Sequence, residues 1–193
     1  NPDKRKQVAE RYGVPRGYSY EDFDRLIDDD GVECVYIALP VGLHAEYTIR
    51  ALKAGKHVLC EKPMASTSQE CEAMITAARE AGRQLGVAYR VHFEATNLEA
   101  LRRFRAGEIG ELRHLSTEAG FVINPEYPPH AWRLTRALGG GGSMFDIGIY
   151  GLNGALMYFD EPPREVSAVY STPQGDPRFA EVEGGIDWRL RFA

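Results

Sequence analysis

Two places in the sequence hold side chains able to do chemistry together. The first is Glu61-Lys62-Pro63, where an apolar run from His57 to Cys60 ends in adjacent opposite charges and a proline. Pro63 fixes its own φ and pushes Lys62 toward extended backbone. A lysine held this way at the mouth of a cleft can donate hydrogen bonds to a substrate oxygen. Its charge also lowers the pKa of a neighbouring acid. The second place is Gly139 to Asn153, four consecutive glycines followed by Asp146 and Tyr150 at a spacing of i, i+4. Glycines let backbone approach a ligand closely, or let a loop move. A helix that begins at or before Asp146 stacks both side chains on one side. A phenol becomes a useful proton carrier when a nearby cation lowers its pKa from about 10. Lys62 is the expected cation, and Asp146 is expected to bind a substrate hydroxyl or to orient the Lys62 ammonium. The plainer alternatives are an exposed Glu61–Lys62 turn pair, a core Tyr150 and an Asp146 that merely caps a helix.

Other residues are candidates by position. His44 and His92 lie at strand ends and can touch a ligand, whereas His57 falls inside a strand. The five histidines show no H-x-x-H, H-x-x-x-H or H-E-x-x-H spacing, so no metal site is expected. Trp132-Arg133 precedes the glycine run. A guanidinium stacked on an indole beside a cleft suits a phosphate or a sugar, and is otherwise a plain surface stack.

The elements that must position these residues follow from periodicity. Residues 2–12 form a polar helix closed by Gly13 and Pro15, and a helix with Phe23, Leu26 and Ile27 on one face follows Asp22. Residues 32–40 are a near-continuous apolar run, the pattern of a strand buried on both faces. Ala45, Thr48, Ile49 and Leu52 line one helix face, with Gly55 as its stop. The strand HVLC comes next, then a helix for which both Ser66-x-x-Gln69 and Thr67-x-x-Glu70 fit a capping box. Its apolar stripe is Cys71, Met74, Ile75 and Ala78, and a third strand covers 84–93. Strand, helix, strand, helix, strand implies right-handed crossovers and a parallel sheet whose ligands bind beyond the carboxyl ends of the strands. Those ends are 39–44, 60–63 and 89–94.

The second half changes character. A helix at 97–106 is followed by strand candidates at 112–122, 164–172 and 186–193, with a helix at about 147–159 between them. The fold class is therefore α/β, a parallel sheet in residues 1–94 and an α+β domain with a mainly antiparallel sheet in residues 95–193.

Composition sets outer bounds. The net charge of −5, with no basic stripe interleaved with aromatics, argues against a nucleic-acid partner. No apolar run approaches the roughly 20 residues that span a bilayer, so no membrane partner is expected. Cys34, Cys60 and Cys71 form no C-x-x-C pair and are expected as reduced thiols. They suit a cytoplasmic protein, an exported one being the alternative. The chain opens at Asn1 with no methionine and stops in WRLRFA inside a strand pattern. It is expected to be a piece of a longer polypeptide.

With these pieces in place, the chain resembles the Gfo/Idh/MocA oxidoreductase family. The matching stretches are KAGKHVLCEKPMA (53–65), AYRVHFE (88–94), GEIGEL (107–112), WRLTRALGGGGSMFDIGIYGLNG (132–154) and RFAEVEGGIDWRLRF (178–192). Tyrosine rather than the commoner histidine at position 150 is similar to the subgroup that includes glucose–fructose oxidoreductase. The resemblance implies a Rossmann domain, here partial, then an α/β domain with a large, mostly antiparallel sheet. It implies NADP or NAD as cofactor and hydride transfer at a sugar carbon, in a homo-oligomer, dimer or tetramer. Carried over, Lys62 is the lysine that contacts substrate and nicotinamide ribose, Tyr150 the acid/base, and Asp146 the substrate-binding aspartate. Leu39, Pro40, His44, Glu61, Arg90, Trp132 and Arg133 fall at cofactor-lining places. The sequence departs from the family pattern at Pro40-Val41, where the family usually shows Pro-Asn, and it contains no G-x-G-x-x-G phosphate loop. Weak or no dinucleotide binding is therefore expected of these residues alone. The competing readings are a non-catalytic module that senses NAD(P) or a sugar, and a structural subunit that lends an open sheet face to a dimer.

Overall fold

The computed structural model describes residues 2–193. Helix α1 (Pro2–Tyr12) is polar and buries no residue. The stretch Phe23–Asp28 is a 3₁₀ turn, not an amphipathic helix: Leu26 is buried while Ile27 points outward. The parallel sheet follows, with strands β1 (Cys34–Ile37), β2 (His57–Cys60) and β3 (Leu85–Val87) in that order. Ile37 lies opposite Cys60, and Cys60 opposite Val87. The three strands thus end level, and the segments that leave them share one edge.

Helices α2 (His44–Lys53) and α3 (Ser68–Ala81) pack on the same face of this sheet. Leu52 and Met74 are fully buried against Ile37, Val58 and Cys60. Burying each of the two stabilises the fold by about 1.5–3 kcal/mol relative to exposure. The expectation that the strands are buried on both faces is corrected. Cys34, Tyr36 and Leu59 alternate with the core residues and are exposed, because no element among the described residues covers that side. Of the two possible capping boxes, Thr67 and Glu70 form the real one. The Glu70 amide donates to Thr67 Oγ1 at 3.2 Å, and the Thr67 amide donates back to Glu70 Oε2 at 3.1 Å. Thr67→Ala is expected to lower stability by about 1 kcal/mol. A lower urea midpoint with unchanged slope is the signature.

The third strand is shorter than its sequence pattern. The Tyr89 amide donates to Val87 O and the Arg90 amide to Ala88 O, tight turns that lift the chain out of the ladder into a 3₁₀ turn, Arg90–Phe93. Helix α4 (Ala95–Arg105) begins the second half. Short helices α5 (Pro128–Ala131) and α6 (Arg136–Gly139) lead to a wide π turn, Met144–Gly148, which runs into α7 (Ile149–Phe159). Strands β4 (Glu165–Tyr170) and β5 (Ile186–Arg191) form an antiparallel pair. The strand expected at 112–122 does not form. Its pattern is extended, but a strand needs a hydrogen-bonded neighbour, and an open cavity of about 1250 Å³ lies between it and β5. No described helix is long and apolar enough to cross a membrane.

Candidate functional site

The site begins where the parallel strands end. Glu61, Lys62 and Pro63 leave β2, and the Lys62–Pro63 bond is cis. Both Glu61 oxygens are engaged: the Tyr36 hydroxyl donates to Oε1, and the Lys62 amide donates to Oε2 at 3.1 Å. The Glu61 carboxylate pushes the Tyr36 phenol up to about 12. His44 sits behind this turn. It is only 1% exposed, with Nδ1 at 2.9 Å from Pro63 O and Nε2 at 2.8 Å from Leu39 O. It therefore ties the end of β1 to the Glu61–Pro63 turn, away from the cleft where the sequence put it. Leu39 and Pro40 are half-buried, and Val41 is buried beside Lys62 and Pro63.

Lys62 reaches across to the second half. Its ammonium donates to the main-chain oxygen of Asp146, lies 3.6 Å from Asp146 Oδ1, and sits over the Tyr150 ring, 4.5 Å from its centroid. Arg133 holds the other carboxylate oxygen, with Nε at 2.9 Å from Oδ2. The Arg133 guanidinium lies 4.4 Å from the Trp132 ring centroid, the stack expected from the sequence. Asp146 thus lies between two cations, and its carboxylate is aimed by both. The π turn places Asp146 and Tyr150 toward Lys62, so the i, i+4 pairing holds although the backbone there is not yet α-helical.

The electrostatics differ from expectation at one point. Burial raises the Tyr150 phenol above its usual value, and the Glu61 and Asp146 carboxylates add to the rise. The cation that opposes this is Arg90, an exposed residue paired with Glu94. Burial pulls the Lys62 ammonium below its usual value, against the carboxylates of Asp146 and Glu61. His92 is turned toward α7, with Nδ1 at 3.4 Å from Asn153 Oδ1.

Two supporting residues carried no signal in the sequence. Tyr36 alternates onto the uncovered sheet face and reaches Glu61 from there. Glu183 grips the last turn of the glycine run. The Gly142 amide donates to its Oε2 at 2.9 Å, and the Met144 amide to its Oε1 at 3.0 Å. Any Cβ on Gly142 would stand 1.9 Å from Glu183 O, so this position requires glycine. Glu183 lies inside the family-like stretch 178–192, but nothing in its neighbours marks it as a support for the glycine run, and the contact spans 41 residues.

A family model described as "Oxidoreductase family, NAD-binding Rossmann fold" matches residues 1–89, and one described as "GFO/IDH/MocA C-terminal domain" matches residues 97–193. The chain belongs to the Gfo/Idh/MocA oxidoreductase family. The partial Rossmann sheet followed by a separate antiparallel pair is the α/β architecture expected. Among solved structures, an aldose-aldose oxidoreductase from Caulobacter crescentus, complexed with glycerol, is 50% identical with a TM-score of 0.93. That match covers 98% of this chain and 56% of the other. The 1,5-anhydro-D-fructose reductase of Ensifer adhaerens is 34% identical, over 91% of this chain and 52% of its own length. The D-xylose 1-dehydrogenase [NADP(+)] of Haloarcula marismortui is also 34% identical, over 91% of this chain and 48% of its own. The chain thus spans about half the length of these Gfo/Idh/MocA relatives.

Proposed function

We propose that the chain is part of an NAD(P)-dependent oxidoreductase that moves a hydride between nicotinamide and a carbon of a sugar or related polyol. Residues 1–94 form part of the dinucleotide domain, and residues 95–193 part of the substrate and subunit-contact domain. The observation that carries this reading is the meeting of Lys62 with Asp146, 84 residues apart, and with Tyr150, at the carboxyl edge of a parallel sheet. The reductase and dehydrogenase names of the relatives support it, and so does the aldose enzyme at 50% identity.

The donors present suit the nicotinamide half of NADP or NAD. Glu61 and Lys62 offer an acceptor and a cation at the level strand ends, with Leu39 and Pro40 as apolar wall. Trp132 and Arg133 line a small pocket with Lys62 and Pro63, and the Arg90 charge acts on the nearby Tyr150 phenol. No glycine phosphate loop is present in the sequence to hold the pyrophosphate. When bound, the dinucleotide supplies the hydride acceptor or donor. Tyr150 takes the hydroxyl proton as the alcohol is oxidised, and returns it to the oxygen as the carbonyl is reduced. Lys62 donates to that oxygen and stabilises the charge that develops on it. Asp146, aimed by Lys62 and Arg133, accepts from a neighbouring hydroxyl. The cavity beside Asp146 and Tyr150 is lined also by Thr117 and Trp188 and is ample for a monosaccharide. Strand β4 is exposed on both faces, with Val166, Val169 and Tyr170 outward, which supports a homo-oligomer, dimer or tetramer.

The test is a screen of aldoses, ketoses and polyols with NADP(H) and NAD(H) in the full-length protein, followed by absorbance of the reduced nicotinamide. Turnover of at least one sugar is expected. Dinucleotide binding with no turnover on any of them would overturn the reading in favour of a sensing module.

A further inference from the structure

We infer that Glu183 is the positioning residue of the Asp146–Tyr150 pair, an inference that rests on the function just proposed. Three consecutive amides of the turn are held by this one residue. Gly142 and Met144 donate to its two carboxylate oxygens at 2.9 and 3.0 Å, and the Ser143 amide donates to its main-chain oxygen at 3.2 Å. Charge-assisted bonds of this kind are roughly twice as strong as neutral ones. They also fall at the start of the turns that run into α7, where negative charge is favoured.

The hold continues directly into the site. Gly142 O accepts from the Asp146 amide at 3.0 Å, and Asp146 then meets Lys62 and Arg133. Tyr150 stands one turn further on. Glu183 itself is fixed from the other side. Val182 is buried, the Gly184 amide donates to Thr172 Oγ1 at 3.0 Å, and Gly185 O accepts from the Ser171 amide at 3.0 Å. The residue therefore couples the β4–β5 pair to the helix that carries the chemistry. Its polar contacts are with Gly142, Ser143 and Met144, and none is with Lys62 or the strand ends of the parallel sheet. Its effect should fall on the sugar step and spare the dinucleotide.

The test is Glu183→Gln in the full-length protein. The variant keeps the size and one acceptor oxygen but turns an NH₂ group toward a main-chain N–H. We expect kcat/KM for the sugar to fall at least tenfold while dinucleotide Kd stays within twofold of wild type. Amide exchange at Gly142 and Met144 should accelerate. Glu183→Asp keeps the charge on a shorter arm and should recover part of the sugar kcat/KM. It also serves as the measured variant where the Gln form does not accumulate. Wild-type sugar kinetics with unchanged exchange would overturn the inference. So would parallel loss of dinucleotide affinity, sugar turnover and Tm, the pattern of a merely structural residue. A Tyr150→Phe protein with full turnover would instead remove the proposed reaction, and the exchange rates alone would then decide whether Glu183 holds the turn.

Discussion

Replacing Tyr150 by phenylalanine is expected to cut turnover by about 10²-fold or more in the full-length protein, roughly 2.7 kcal/mol of transition-state stabilisation. Phenylalanine keeps the ring that Lys62 covers at 4.5 Å and keeps the packing of α7, so the only loss is the hydroxyl, the proposed proton carrier. Stability should barely move. The direction of the Tyr150 shift adds a second signature. The phenol is held above its usual value of about 10 by burial and by the Glu61 and Asp146 carboxylates. It is therefore protonated across the neutral range. Carbonyl reduction, which needs the phenol, should be flat with pH there. Alcohol oxidation, which needs the phenolate, should climb as pH rises toward the raised value. Steady-state kcat/KM against pH, in both directions, reads this directly, and the phenylalanine variant should lose the oxidative slope. A variant with unchanged turnover would take Tyr150 out of the acid/base role.

Much of the scaffold under this site was legible from periodicity. The stripe of Thr48, Ile49 and Leu52 marks α2, and Met74 and Ala78 mark α3, because burial of one helical face leaves a 3.6-residue trace. What periodicity does not reveal is whether a second layer exists. The run at 32–40 reads as buried on both faces, yet Tyr36 looks outward, and that exposure lets it reach Glu61. Nor does local pattern supply a neighbour. Residues 112–122 alternate like a strand, but a ladder depends on what lies alongside. Within the site, Lys62, Asp146 and Tyr150 stand out by residue type, since charged and phenolic groups beside glycines and prolines are locally unusual. His44 misleads for the opposite reason. A histidine after a strand looks like a ligand contact, but the carbonyls of Leu39 and Pro63 already occupy both ring nitrogens. Glu183 lies beyond any local reading, since its meaning comes from backbone amides 39 and 41 residues away.

Lys62→Met is expected to lower kcat/KM by about 10²–10³-fold, the loss of the charged donor proposed for the reacting oxygen, while leaving the fold intact. The ammonium is largely buried, with 11% of the side chain exposed, and burial depresses its pKa despite the nearby Asp146 and Glu61 carboxylates. A lysine whose folded value lies below its unfolded value of about 10.5 binds its proton less tightly in the folded state. Stability therefore rises with pH between the lowered folded value and 10.5, and below that window the buried charge opposes folding. Methionine fills much of the same volume without a charge. Asp146 is not orphaned, because Arg133 keeps its 2.9 Å contact. The urea midpoint at neutral pH should accordingly hold or rise slightly in the variant, and the pH-dependent gain in that window should vanish. Activity should behave differently. In the reductive direction Tyr150 remains protonated at mildly alkaline pH, so the fall of kcat/KM below the ordinary lysine range belongs to Lys62. The wild type should show this alkaline arm and the methionine variant should be low and flat. A variant as active as wild type would remove Lys62 from the chemistry. One that is inactive but also less stable would mean that its bond to the main-chain oxygen of Asp146 holds the two halves together, a role in structure before any in hydride transfer.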